Sequence, residues 1–337
     1  MTARTDFQHI DTLDAEAFSP LGAHPIVIVD AVTFKGASQP IQAVIIGCDA
    51  AGTLPALDAS VFDVLLTTAP DAPAPWVSIA APKFAQHVAL LEAAVRRNPY
   101  AASVLCQVLR LAERSSFTDA LLIESLAYST VLAGAEFDAW RSGHASSPPE
   151  DASVATHDLV QIERTDDHIT LTLNTPHNRN AMTAAMRDAL YEALANAIDD
   201  PSAPTVSLRG AGKCFSTGGH LPEFGTARDL AQAHVVRTTR SCARHIDALG
   251  QRIDVRFHGA CVGSGLEVPM AAAHRVATSD AFFQLPELGM GLIPGAGGTA
   301  TVARAIGRHR TAWMVLSEKR INAAQALKWG LVQAISP

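Results

Sequence analysis

Between residues 25 and 80, short apolar runs alternate with turn residues: IVIV ending at Val29, AVII ending at Ile46, VLL ending at Leu66 and WVSI ending at Ile79. Runs this short, rich in β-branched residues and punctuated by Gly, Pro and Asp, predict the strands of a small parallel sheet with brief crossovers. From residue 87 to residue 141 the apolar spacing changes to three and four, through Leu91, Val95, Val104, Val108, Leu111, Leu122, Leu126 and Leu132. This predicts three helices, the second opening at Pro99 and the third following the break at Ser115. The isolated polar residues His87, Glu113, Glu124 and Glu136 read as solvated positions on these helices. No catalytic motif appears in residues 1–143.

The stretch SGHASSPPEDAS at residues 142–153 is small, polar and acidic, and carries two prolines. It divides the chain into a region 1–143, a linker 144–156 and a region 157–337. Past it, apolar and polar residues alternate on either side of Asp166 and Asp167, as in a β-hairpin. Met186, Leu190, Leu194 and Ile198 then fall four apart, a helix stopped by Asp200 and Pro201. A strand TVSLRG, a long helical segment over 227–249, a strand IDVRFHG and a C-terminal helical pair complete the order. A hairpin and helix followed by repeated strand–helix units predict an α/β spiral of β-β-α turns, preceded by a small α/β region and a helical segment.

Composition narrows the partners. A net charge of -7 with 18% charged residues leaves no basic stripe for nucleic acid. Cys48, Cys106, Cys214, Cys242 and Cys261 are odd in number and scattered, which argues against a disulfide framework or a zinc site and for a reducing compartment. The first residues are polar and acidic, and no apolar run approaches membrane-spanning length. We therefore expect a cytoplasmic protein with no membrane span and no metal.

The chemistry gathers in HGACVGSGLEVPMAAAHRVATSDAFFQLPELGMGLIPGAGGT, from His258 onward, and in GAGKCFSTGGHLPEF before it. The second stretch is not a phosphate loop, since Ser207 and Cys214 stand where that loop needs glycine and Ser or Thr. Gly263-Ser264-Gly265 lacks the third glycine of a dinucleotide fingerprint. Both could be plain tight turns. Equally, Gly218-Gly219 after a strand and Gly263–Gly265 entering a helix could expose backbone N–H groups to a carbonyl oxygen as it becomes an oxyanion. Glu267 and Glu287 shift the balance, because carboxylates set among Leu, Val, Met and Phe carry a burial cost that packing does not repay. Paired carboxylates beside an oxyanion hole suit proton abstraction or water addition next to a thioester carbonyl. The plainer alternatives are a helix N-terminal acid for Glu267 and a solvated turn residue for Glu287.

Five blocks, NRNAM, GAGKCFSTGGHLPEF, HGACVGSGLEVPMA, LPELGMGLIPGAGGT and NAAQALKWGLV, resemble in order and spacing the enoyl-CoA hydratase/isomerase (crotonase) family, over residues 159–337. The resemblance implies a crotonase-like spiral that binds an acyl-CoA thioester, with coenzyme A as part of the substrate and no other cofactor. It implies oxyanion-hole donors at the N–H groups of Gly219 and Ser264, and acid/base roles for Glu267 and Glu287. It sets Arg179, Asn180, Ala181 and Thr217 near the CoA moiety, and it implies a homo-oligomer, trimer or hexamer. Departures from the family pattern are His220 where aspartate is usual, which would contact substrate or cap its loop, Ser264 for a glycine, and Arg256 and His258 in a strand that is apolar in relatives. Relatives also continue past the GLV segment with helices that cover the acyl pocket. The helices of residues 87–141 are the candidates for that cover here.

The reading that follows is an enoyl-CoA hydratase catalysing syn hydration or dehydration. Enoyl-CoA isomerisation, or hydrolysis or oxygenation of a CoA thioester, is the alternative within the fold. A non-catalytic CoA-thioester-binding or scaffold protein is the alternative of another class.

Overall fold

In the computed structural model, which describes residues 7–11, 15–144 and 159–336, the N-terminal apolar runs form four strands. These are β1 (Ile26–Asp30), β2 (Val44–Asp49), β3 (Val64–Thr67) and β4 (Val77–Ser78), all parallel and adjacent in chain order. Unbroken apolar runs suit strands covered on both faces. Ile26, Ile28, Val44 and Ile46 point into the main core, while Val27, Val29, Ile45 and Leu65 enter a smaller one with Phe34 and Phe62.

Four helices follow rather than three: α1 (Ala81–Arg97), α2 (Pro99–Ala112), α3 (Phe117–Leu132) and α4 (Ala135–Ser142). α1 starts ahead of its apolar stripe because a proline, Pro82, occupies its first turn. Pro99 opens α2, and the Ser116 hydroxyl caps α3 by accepting from the Asp119 N–H. Gly134 separates α4 from α3. Not every residue of the three-and-four spacing turns inward, since Leu111, Leu122 and Leu126 are exposed.

The polar residues of these helices are not the solvated positions their isolation suggests. His87 is buried and accepts from Trp313 Nε1–H at 2.7 Å; burial lowers its pKa to about 4, which keeps the ring a neutral acceptor. Glu136 takes the N–H groups of Tyr100 and Ala101 at the start of α2. Glu113 is half-exposed and pairs with Arg308. Glu124 is buried at the candidate site described below.

The second half begins with the expected hairpin, β5 (Val160–Arg164) against β6 (His168–Leu173), then α5 (Ala184–Asp199) and β7 (Thr205–Gly210). The long helical segment is two helices, α6 (Leu230–Thr239) and α7 (Cys242–Leu249), because Ser241 begins a new N-terminus between them. β8 (Ile253–Phe257), β9 (Ala260–Val262) and the single turn α8 (Ser264–Glu267) come next, followed by β10 (His274–Thr278) and β11 (Phe282–Gln284). α9 (Gly298–Ile306), α10 (Arg308–Ser317), β12 (Ile321–Asn322), α11 (Ala323–Trp329) and β13 (Ala334–Ser336) complete the chain. The larger sheet has the order β13-β10-β8-β7-β6-β5 and the smaller one β12-β11-β9. β8 and β10 therefore lie in one sheet while the strands after them, β9 and β11, pair in the other, which is the predicted spiral of β-β-α turns. The polar departures in this strand have local partners: Arg256 pairs with Asp254, and the His258 ring lies 3.1 Å from the Gly212 carbonyl oxygen.

Apart from residue 144, the linker expected over 144–156 lies outside the described residues. One buried core nevertheless runs from Ile26 to Val332, and α2 and α3 pack on α9. Arg308, at the start of α10, is 4% exposed and ties the two halves together. It donates to the carbonyls of Phe62 and Ser60 at 2.7 and 3.0 Å and pairs with Glu113 at 3.0 Å. A buried guanidinium that loses its place leaves carbonyls and an acid unpaired. Arg308→Met is thus expected to destabilise the chain by about 3–5 kcal/mol in urea unfolding, against less than about 1 kcal/mol for Arg97→Met, whose pair with Glu318 is exposed. Equal small losses would contradict the role given to Arg308.

Candidate active site

Two loops approach each other at the centre of the second half. Ser216 pins them: its N–H donates to Ala260 O, its carbonyl accepts from Val262 N–H, and its hydroxyl donates to Asn180 O. Gly218 then adopts φ 87°, and a Cβ there would lie 2.6 Å from Val262 O. Gly263 adopts φ 51° and would push a Cβ to 3.0 Å from Glu287 Oε1. Glycine at these positions lets one backbone sit against the other. Gly219 follows the first turn and Ser264 opens α8 after the second. Among the described residues, neither Gly219 N–H nor Ser264 N–H has a protein acceptor. Two uncommitted donors side by side, one at a helical turn, can hold a developing oxyanion.

Three carboxylates are buried here rather than the two expected: Glu267 and Glu124 hold the GAGGT loop that enters α9, and Glu287 lies against Gly263. Glu267, 3% exposed, accepts through Oε2 from Ala296 N–H at 2.7 Å and Gly298 N–H at 3.0 Å. Glu124 of α3, 2% exposed, takes the alternate groups, Gly297 N–H at 2.6 Å and Thr299 N–H at 2.7 Å, with the Thr299 hydroxyl at 2.6 Å. Glu287 is buried too, and among the described residues its Oε2 has no hydrogen-bond partner. Burial raises all three pKa values. Glu267 goes to about 7. Glu124 goes to about 8, with the Glu267 charge adding to the rise. Glu287 goes well above the usual carboxylate range, also pushed by Glu267. The N–H groups hold Glu267 and Glu124 lower than burial alone would, whereas Glu287 has little to offset its burial, so it is the carboxyl best suited to stay protonated.

A cavity of about 450 Å³ opens onto Glu267 and Glu287. Its walls include Gly219, Ser264, Glu267 and Glu287 from the second half and Tyr128 and Leu132 from α3. Of the four N-terminal helices, α3 alone contributes to this lining. His220 lines it as well; its Nδ1 has no hydrogen bond and lies 3.7 Å from Glu223 Oε1, so its side chain does not cap the loop. The Ser264 hydroxyl is also buried without a partner. Thr217 is on the cavity wall. Asn180, by contrast, is buried with its amide spent on the carbonyls of Ala211, Cys214 and Phe215 and on Thr175 N–H, which makes it an organiser of the first loop. Ala181 is buried beside it, and Arg179 is exposed with φ 59°. Sequence reasoning missed the roles of Glu124 and Tyr128, which α3 brings to the site together with Leu132.

The family model for enoyl-CoA hydratase/isomerase matches residues 164–337. YngF of Bacillus subtilis, named for the same activities, is 33% identical over 181 residues, covering 53% of this chain and 70% of its own length. The 2,3-dehydroadipyl-CoA hydratase of Escherichia coli is 33% identical over 176 residues, 52% of this chain and 68% of that protein. Among solved structures, an enoyl-CoA hydratase from Thermoplasma volcanium is 30% identical with a TM-score of 0.48, covering 53% of this chain and 72% of that one. The matched residues include both donor loops and Glu267 and Glu287, and exclude Glu124 and Tyr128.

A carboxyl whose pKa is raised on folding adds stability below its unfolded value and loses it as pH rises through the folded one. For Glu124 that window runs from about 4.5 to about 8. Replacing it with glutamine removes the titration, so the stability of Glu124→Gln relative to the native chain should rise across this window. Paired urea titrations over that pH range measure the difference, and a flat difference would mean that Glu124 ionises normally in the fold.

Proposed function

The chain belongs to the enoyl-CoA hydratase/isomerase family, which acts on CoA thioesters, and from that premise we propose that it adds water across the α,β-double bond of an enoyl-CoA, or removes it. The observation that carries this reading is the asymmetry of the two carboxyls on one cavity: Glu267 Oε2 receives two N–H groups, and Glu287 Oε2 receives none. Such environments separate a pair into a base and an acid.

In the hydration direction the thioester oxygen accepts from Gly219 N–H and Ser264 N–H. Glu267 as carboxylate takes a proton from water while the oxygen bonds to Cβ, and the double-bond electrons move to the enolate held by the two N–H groups. Glu287 as neutral acid then delivers its proton to Cα. Glu267 ends protonated and Glu287 ionised; a proton passed from Glu267 to Glu287 through solvent restores both, so the net addition is one water. With both carboxyls on the same cavity, addition on one face of the double bond, syn, is the expected stereochemistry. His220 Nδ1 and the Ser264 hydroxyl are further unpartnered groups available to substrate or to the attacking water.

Incubating the purified chain with enoyl-CoA thioesters should remove the conjugated-thioester absorbance and yield 3-hydroxyacyl-CoA. Glu267→Gln and Glu287→Gln should each lower kcat by roughly 10²–10⁴-fold, the usual worth of a general acid or base. A product with its double bond moved would assign isomerisation instead, and release of free CoA thiol would assign hydrolysis. Unchanged turnover in both variants would refute the roles given to the glutamates.

A further inference from the structure

A second cavity, about 310 Å³, adjoins the first and shares Met182, Arg187, Arg237, Gly295 and Ala296 with it. Its other walls mix Leu121 and Leu122 from α3 and Val268 after α8 with the charged residues Glu124, Arg240 and Arg244. These shared residues form the wall between the two spaces, so an acyl chain in the first cavity meets them directly. The guanidinium of Arg237, on α6, stands on that wall.

Arg237 is partly buried, and among the described residues no carboxylate lies within ion-pairing distance of it. Arg187 and Arg240 both pair with Asp188 at 2.8 Å, and Arg244 donates to the Thr238 carbonyl. Its Nε donates to Ser125 Oγ, and its Nη2 donates to Ser125 O and Ser129 Oγ, while Cζ lies 4.9 Å from the Tyr128 ring centre. Those acceptors are neutral; they fix the guanidinium but leave its charge unmatched, and among the described residues Nη1 has no acceptor. Glu124 is the acid whose charge it feels, yet both Glu124 oxygens are already taken by the glycine loop. Withdrawing a guanidinium from water without a counter-charge is costly, and the two Nη1 hydrogens remain to donate to an anion.

We infer that Arg237 binds an anionic group at the distal end of the acyl chain, so that the preferred substrates are ω-carboxyacyl thioesters of CoA. The inference rests on the reading of the first cavity as the thioester site. It deepens that reading by naming the substrate class. A methyl-terminated chain would bury apolar atoms against the charge with no return. The phosphates of CoA offer the same anionic chemistry, so the test separates the two sources.

Saturated thioesters cannot be hydrated, and their binding can be measured apart from turnover. Calorimetric titration of the full chain with hexanoyl-CoA, its ω-carboxylate counterpart and CoA should show the ω-carboxylate form binding about 10- to 100-fold more tightly than hexanoyl-CoA. Arg237→Met should bring that ratio to about one, and Arg237→Lys, which retains the charge and guards against a folding defect, should keep part of it. Equal binding of the two thioesters by the native chain would overturn the inference. So would an Arg237→Met variant that loses as much affinity for CoA as for the ω-carboxylate form, since the arginine would then be holding phosphate. Discrimination in binding with no hydration of either enoyl counterpart would support Arg237 in this role and refute the proposed reaction.

Discussion

The GAGGT loop at residues 295–299 is the constraint on which the site depends. Four successive backbone N–H groups leave it, and two buried carboxylates take them alternately: Ala296 and Gly298 go to Glu267, Gly297 and Thr299 to Glu124. Each acid needs its donors to be tolerated in the interior, and the loop needs both acids to satisfy its amides. α3 cannot shift without releasing the alternate donors, and the loop cannot shift without misplacing Glu267. The geometry of a candidate base in the second half is therefore coupled to a helix in the first.

This coupling explains why the two halves share a core. Residues 164–337 carry the family match, both donor loops and two of the three acids, but the cavity they outline is walled by Tyr128 and Leu132. Arg308 and His87, each buried and bonded across the halves, hold the N-terminal sheet and α1 in place around α10. The N-terminal region supplies part of the cavity lining and the third carboxylate. It also supplies Ser125 and Ser129, which aim Arg237 at the adjoining space.

Much of this was legible in the sequence where local chemistry decides the outcome. Pro99 and Ser116 marked helix starts, the short β-branched runs marked parallel strands, and the glycine pairs marked the donor loops. Asn180 belonged to a motif expected near CoA, yet its amide is consumed inside the first loop, because several carbonyls converge there that nothing in the linear order announces. Glu124 was hidden for a related reason. A lone acid on a helix is usually solvated, and its donors lie more than 170 residues away at Gly297 and Thr299. The available signal was its setting, LLIESL, an acid flanked by apolar residues on every side of a helix. His87 and Glu136 were misread likewise, since their partners belong to other elements.

The central claim is that the N-terminal helices and the spiral together form one thioester site, with paired N–H donors at one end and two unlike carboxyls beside the double bond. A crystal structure of the chain with a bound acyl-CoA tests it most directly. The account predicts the thioester oxygen within hydrogen-bonding distance of both Gly219 N and Ser264 N, the α and β carbons between Glu267 and Glu287, and the acyl chain against Tyr128 of an undisplaced α3. A thioester oxygen away from both donors, or an acyl chain bound with α3 lifted off the GAGGT loop, would contradict it.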